Sequence, residues 1–165
     1  MSVHLAQVNV GRLAAPLDSE QLRPFVERLQ SVNALADASP GFVWRLQTDE
    51  GDATAYRVFD DPELIVNLSV WESLDALREF VYLLPSHVEV LRRRREFFVR
   101  SQEDTVALWW IPAGSIPTVA EAEQRLTLLR ALGPSPEVFT FKRFFLPPCQ
   151  PPAPVDDDRT LCPAP

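Results

Sequence analysis

Apolar positions alternate or recur at helical spacing from residue 3 to 146, and the pattern predicts nine elements. The run Val106 to Ile111 carries Trp109 and Trp110 and stops at Pro112, which predicts a short buried strand. Alternation puts Val106, Leu108 and Trp110 on one face and Ala107, Trp109 and Ile111 on the other. After the breakers Pro112, Gly114 and Pro117, Thr118 and Glu121 have the spacing of a capping box. A helical stripe of Val119, Ala122, Leu126 and Leu129 follows, and Gly133-Pro134 ends it. Phe139 to Leu146 alternates once more and predicts a last strand.

The earlier chain reads the same way. Val3 to Val10 predicts a strand with Leu5, Gln7 and Asn9 on one face and His4, Ala6, Val8 and Val10 on the other. A helix begins near Pro24, a residue tolerated in the first turn, and carries Phe25, Leu29, Val32, Leu35 and Ala36 inward until Ser39-Pro40-Gly41. Phe42 to Leu46 predicts a strand with Phe42, Trp44 and Leu46 together, and Thr48 to Ala55 is a polar loop. In the strand Leu64 to Trp71, one face (Leu64, Val66, Leu68, Val70) is wholly apolar and the other (Ile65, Asn67, Ser69, Trp71) is mixed. Ser73 caps a helix with Leu74, Leu77, Phe80 and Val81 inward. Pro85 ends it, and Ser86 with Glu89 opens another, striped by Val88, Leu91, Arg95 and Phe98.

The order β, α, β, β, α, α, β, α, β contains βαββαβ, the split unit of a ferredoxin-like α+β sheet, with an extra helix. The blander faces are expected under helices. The mixed face, with Trp44 and Trp71 among its residues, is too apolar to stay in water and is expected to pack on a second copy, enclosing a cavity. Residues 1–146 form this domain. From Pro147 the chain is rich in proline, carries an acidic triplet and lacks apolar periodicity, so 147–165 is expected to be a disordered tail.

Composition narrows the classes. A formal charge of −7 disfavours broad contact with nucleic-acid phosphates, and no run approaches the length of a membrane span. With no secretory pattern at its start, a cytoplasmic protein is expected. The two cysteines, Cys149 and Cys162, both fall in the tail and make neither a disulfide framework nor a zinc site. The run Arg92 to Arg95 reads as an ion-paired, solvated helix face. Phosphate-binding glycine loops, metal-spaced His/Cys clusters and Ser–His–Asp patterns are lacking.

The candidate chemistry lies on the mixed face. Gln7, Asn9, Trp44, Asn67, Ser69 and Trp71, with Trp109 or Trp110, give an aromatic lining set with a few amides and one hydroxyl, the make-up of a small-molecule site. Amides there can hold a carbonyl or an enolate-like oxygen, or they can satisfy buried backbone in a dimer seam. His87, in the first turn of its helix, is placed to stay a neutral base, or it serves as a surface or capping residue.

Together the segments LAQVNV (5–10), SPGFVWRL (39–46), IVNLSVWESLDALREFVY (65–82), SHVEVLRRRREFF (86–98), LWWIPAGSIPTVAEAEQRLTLLRALGPS (108–135) and FTFKRFF (139–145) resemble the DUF3291 family. That family is similar in turn to the antibiotic-biosynthesis-monooxygenase group of dimeric α+β barrels. The family carries histidine after PAG, where this chain has Ser115. The resemblance implies a homodimer with a small-molecule ligand in the barrel cavity. It also implies, within a superfamily that includes cofactor-independent oxygenases, oxidation or isomerisation of an aromatic or polyketide-like metabolite. The expected catalytic residues are His87, Asn67 and Asn9. Gln7, Trp44, Ser69, Trp71, Phe80, Tyr82 and Trp110 are the expected substrate contacts. No cofactor and no metal is expected. Two alternatives stand beside this reading: a non-catalytic binding protein, and a haem-binding or haem-degrading one in which His87 and Asn9 echo the superfamily's histidine–asparagine pair.

Overall fold

The computed structural model describes residues 2–83 and 85–148, with only the backbone described at 85–87 and 89–91. Strand β1 (Val3–Arg12) is central, and β3 (Leu64–Trp71) and β4 (Val106–Pro112) pair with it on either side, both antiparallel. β2 (Phe42–Arg45) pairs antiparallel with β3, so the sheet order is β2-β3-β1-β4. This is the ferredoxin-like order expected of βαββαβ, and the fold class is α+β. One crossover is α1 (Arg23–Asp37). The other runs through α2 (Leu74–Arg78), a π-helical turn (Glu79–Leu83) and α3 (Pro85–Phe97). The extra helix, α4 (Val119–Leu132), follows β4.

Local chemistry sets the boundaries. Pro24 lies in the first turn of α1, and Ser73 Oγ accepts the Ala76 N–H at 3.1 Å to start α2. Thr118 Oγ1 likewise accepts the Glu121 N–H at 3.1 Å. The Glu121 carboxylate, expected to complete a capping box, instead accepts the indole N–H of Trp109 at 3.0 Å. Gly41 precedes β2 with φ +76°, and a Cβ there would lie 2.6 Å from the Cβ of Ala76 on α2. That turn therefore requires glycine on both conformational and steric grounds.

The two faces of the sheet are covered differently from the expectation. Ala6, Val8, Val10, Val66, Leu68, Val70, Ala107, Trp109 and Ile111 pack against Ala122, Leu126 and Leu129 of α4, with Val58 and Val138 closing the rim. The crossover helices both lie on the other face, the mixed one. The reason is topological: in βαββαβ the two crossovers share a face, and that face is the one carrying Leu5 and Trp71. No sheet face is thus left over to require a second copy, and the premise for pairing through a bare sheet is corrected.

Three further expectations change. A register shift between Phe42 and Trp44 turns Phe42 toward Trp71 and Trp44, with Leu46, toward the α4 side. The last strand is reduced to one bridge between Leu108 and Phe139, because Thr140 N–H donates to Arg143 O and the chain turns. On α3, Arg95 is exposed and Phe97 is buried, so the inward stripe runs one residue out of the expected phase. Beyond Pro148 the expected tail, including both cysteines, lies outside the described residues.

Candidate functional site

On the helix-covered face β1 and β3 set four pairs side by side: Leu5 with Trp71, Gln7 with Ser69, Asn9 with Asn67, and Gly11 with Ile65. The two ends of this row are apolar and closed. At one end Leu5 and Trp71 pack with Ala36, Leu74, Leu77, Phe80, Leu108 and Phe139. At the other, Ile65 packs with Leu22, Phe25 and Phe97. Gly11 belongs to this second end, where a Cβ would meet the Phe98 ring at 2.8 Å.

The middle of the row is polar and is not sealed. Gln7 and Ser69 are buried, yet their neighbours Asn9 and Asn67 are exposed although they lie on the covered face. Two apolar clusters under α1 and the α2–α3 crossover therefore leave a solvent-reachable gap between them, floored by amides. Trp71 Nε1–H donates to Ser69 Oγ at 3.0 Å, and Ser69 Oγ–H donates to Gln7 Oε1 at 2.8 Å. Among the described residues, the side-chain amides of Asn9 and Asn67 and the Nε2 of Gln7 have no hydrogen-bond partner in the chain. Three amides thus keep hydrogen-bonding capacity that the chain does not use, on a strand pair whose two ends are packed: Asn9 and Asn67 turn theirs to solvent, and Gln7 Nε2 lies beside them.

The aromatic end is closely packed. Phe80 stacks on Trp71 at 5.1 Å and 29°, and Phe42 meets Trp71 edge-on at 5.3 Å. Trp110 lies on this face opposite Leu5, and its Nε1–H donates to Phe145 O at 2.9 Å. Tyr82 is exposed and meets the Phe141 ring edge-on at 5.5 Å, beyond the wall of the first cluster.

The structure thus brings Gln7, Asn9, Asn67, Ser69, Trp71 and Phe80 together. It places Trp110 and Tyr82 at the flank, beside the 139–145 segment. Trp44 is a correction, since it faces the α4 side. His87 belongs to α3, but its side chain lies outside the described residues. Sequence reasoning missed the contribution of Phe42, Phe139 and Arg45. Arg45 sits opposite Ser69 on β2, but its guanidinium is committed to Asp37 at 2.7 Å and to Gly51 O at 2.7 Å. The bulge after Phe42, which no residue pattern marks, sets the placements of Phe42 and Arg45, and the single bridge to Leu108 sets that of Phe139.

The carboxylates held below their usual range lie outside the gap: Asp61 by hydrogen bonding to Arg12, and Glu96 by hydrogen bonding to Arg93. Among the described residues no group of three or more His, Cys, Asp or Glu side chains could hold a metal ion. No helix of the described residues is long and apolar enough to cross a membrane. Two open hollows, at 100–102 and 17–27, contain none of the expected site residues.

A family model described as a domain of unknown function (DUF3291) matches residues 4–154. No curated protein matches the chain. Solved structures that are similar include a conserved protein from Methanosarcina mazei Go1, with 12% identity, 67% of this chain and 92% of that chain covered, and a TM-score of 0.47. PA3566 from Pseudomonas aeruginosa has 14% identity, 70% and 98% coverage and a TM-score of 0.47. SnoaB, a cofactor-independent oxygenase from Streptomyces nogalater, has 17% identity, 70% and 97% coverage and a TM-score of 0.44.

Proposed function

Because the chain belongs to the DUF3291 family, a family whose description leaves function open, its activity has to come from its own site, and we propose that it binds a small, partly aromatic molecule in the gap over Asn9 and Asn67. One observation carries this reading: three amides with unused hydrogen-bonding capacity share a strand pair between two closed apolar clusters. A ring can lie against the Trp71–Phe80 end while its oxygen substituents meet the amides.

The reaction we assign to this gap is cofactor-independent oxidation, or isomerisation, of an aromatic or polyketide-like metabolite. Asn9 and Asn67 would hold the oxygen that becomes negative when the substrate loses a proton, and His87 is the candidate base. A deprotonated, electron-rich ring of this kind reacts with oxygen without help from a flavin or metal.

The test is oxygen uptake with quinol-type substrates by the wild-type protein, His87→Ala and Asn67→Ala. Loss of about two orders of magnitude in each variant is the expected result, the usual size of a base or oxyanion-donor effect. Uptake that survives both substitutions removes these residues from the chemistry. Saturable binding of the quinol without uptake in any form replaces the oxygenase by a non-catalytic binding protein. A Soret band on haem titration that disappears in His87→Ala makes it a haem protein instead.

A further inference from the structure

The hydrogen bonds beneath the gap have a direction. An indole N–H only donates, so Ser69 Oγ must accept from Trp71, and the serine proton needs an acceptor of its own. That acceptor is Gln7 Oε1, at 2.8 Å. The carbonyl end of the Gln7 amide is therefore occupied from below. What remains is Nε2, which carries two N–H bonds, no lone pair to offer, and no partner among the described residues. Gln7 itself is only 8% exposed, so its orientation is fixed by its surroundings and not by bulk water.

An unconstrained amide can flip and serve an acceptor or a donor equally. This one cannot flip without setting its N–H against a serine hydroxyl whose proton would then have no acceptor, in a buried place where a lost hydrogen bond is costly. We propose that the Trp71–Ser69–Gln7 chain polarises the floor of the gap, so that it selects ligands presenting an acceptor oxygen, above all an ionised phenol or enolate, over ligands presenting an N–H or O–H donor. Gln7 is the specificity-determining contact, and Ser69 and Trp71 are positioning residues that act through it. The inference rests on the proposed binding gap and gives that gap a substrate class. It also works against the chain's net charge of −7, so attraction of the anion has to be local.

The experiment compares 4-nitrophenolate with 4-nitroaniline, two probes of one shape that share a nitro group and differ at the opposite end, an anionic acceptor oxygen in one and an N–H donor in the other. Their affinities for the full chain are measured by absorbance titration at a pH where the phenol is ionised. The wild-type protein is expected to prefer the phenolate by about tenfold, the scale of one charge-assisted hydrogen bond. Gln7→Glu keeps an oxygen for Ser69 to donate to but turns a lone pair and a negative charge upward, so the preference should reverse. Ser69→Ala should bring the two affinities within about twofold of each other, and Ser69→Thr, which keeps the hydroxyl, should restore the preference. That rescue separates positioning from mere folding, and the serine pair decides the matter alone if Gln7→Glu does not fold. Equal affinities in the wild type, or a preference untouched by Ser69→Ala, overturns the polarised floor while leaving the gap a binding site. Failure of both probes to bind removes the gap and the inference together.

Discussion

The two faces of one four-stranded sheet meet different fates in this molecule. Under α4 the face is nearly finished: Ala6, Val8, Val70 and Trp109 are wholly buried, the indole N–H of Trp109 is matched by Glu121, and His4 Nδ1, at the end of the same face, is buried without a partner. Under the crossover helices the face breaks into two apolar clusters with the solvent-exposed amides of Asn9 and Asn67 between them. The extra helix makes this division of labour possible. It takes over the apolar face that would otherwise need a partner, so the sheet's stability does not depend on closing the other side. The mixed face can then keep polar groups that weaken packing, the groups to which the proposed function assigns the ligand.

The largest test of this contrast is on the finished face. Leu126→Ala leaves a hole between α4 and the sheet and is expected to destabilise the chain by about 2–5 kcal/mol, read by denaturant or thermal unfolding. A cost under about 1 kcal/mol would mean that α4 does not seal that face as tightly as its burial indicates. On the open face the same measurement should show almost nothing. Asn67→Leu removes an amide that has no partner in the chain, so stability should stay within about 0.5 kcal/mol of wild type. The variant should nonetheless lose binding of a quinol or nitrophenolate probe. Equal destabilisation by the two substitutions would erase the distinction between the faces.

Most of the fold was written in periodicity. Alternation along residues 3–10, 64–71 and 106–111 and the stripes of the helices place the elements, because each repeats a local geometric preference several times. What could not be read was the side on which each helix lands. Both faces of β1 are apolar enough to be covered, and only the connection topology decides which lies under α1. Trp44 escaped for a smaller reason: one irregular residue before it reverses every later side chain of a strand only four residues long. Phe139 to Leu146 has strand alternation but turns at Thr140–Arg143, since a single bridge to β4 does not outweigh a local turn. At the candidate site, alternation puts Gln7, Asn9, Asn67 and Ser69 on the mixed face, whereas the pairing of Asn9 with Asn67 and of Gln7 with Ser69, and the direction of the hydrogen bonds, needed the structure.

The smallest effect concerns the rim of the finished face. Arg12, at the end of β1, donates to Asp61 at 2.5 Å and to Glu63 at 2.8 Å, tying the sheet to the turn that carries Val58 and Phe59 over it. The hydrogen bond from Arg12, aided by the Glu63 backbone N–H, holds the Asp61 carboxyl below the usual carboxylate range. A group whose folded pKa is depressed stabilises the fold above its unfolded pKa and loses that contribution as pH falls through the folded one. Asp61→Asn isolates this term, because an amide oxygen can still accept the Glu63 N–H, which is 2.9 Å from Asp61 Oδ1. Unfolding curves of the two proteins should differ slightly at neutral pH and converge as the solution is acidified through the carboxylate range, and added salt should narrow the neutral-pH difference further, since the pair is open to solvent. A difference that stays constant from neutral to acid pH would assign the rim to the shape of the turn and not to its charge.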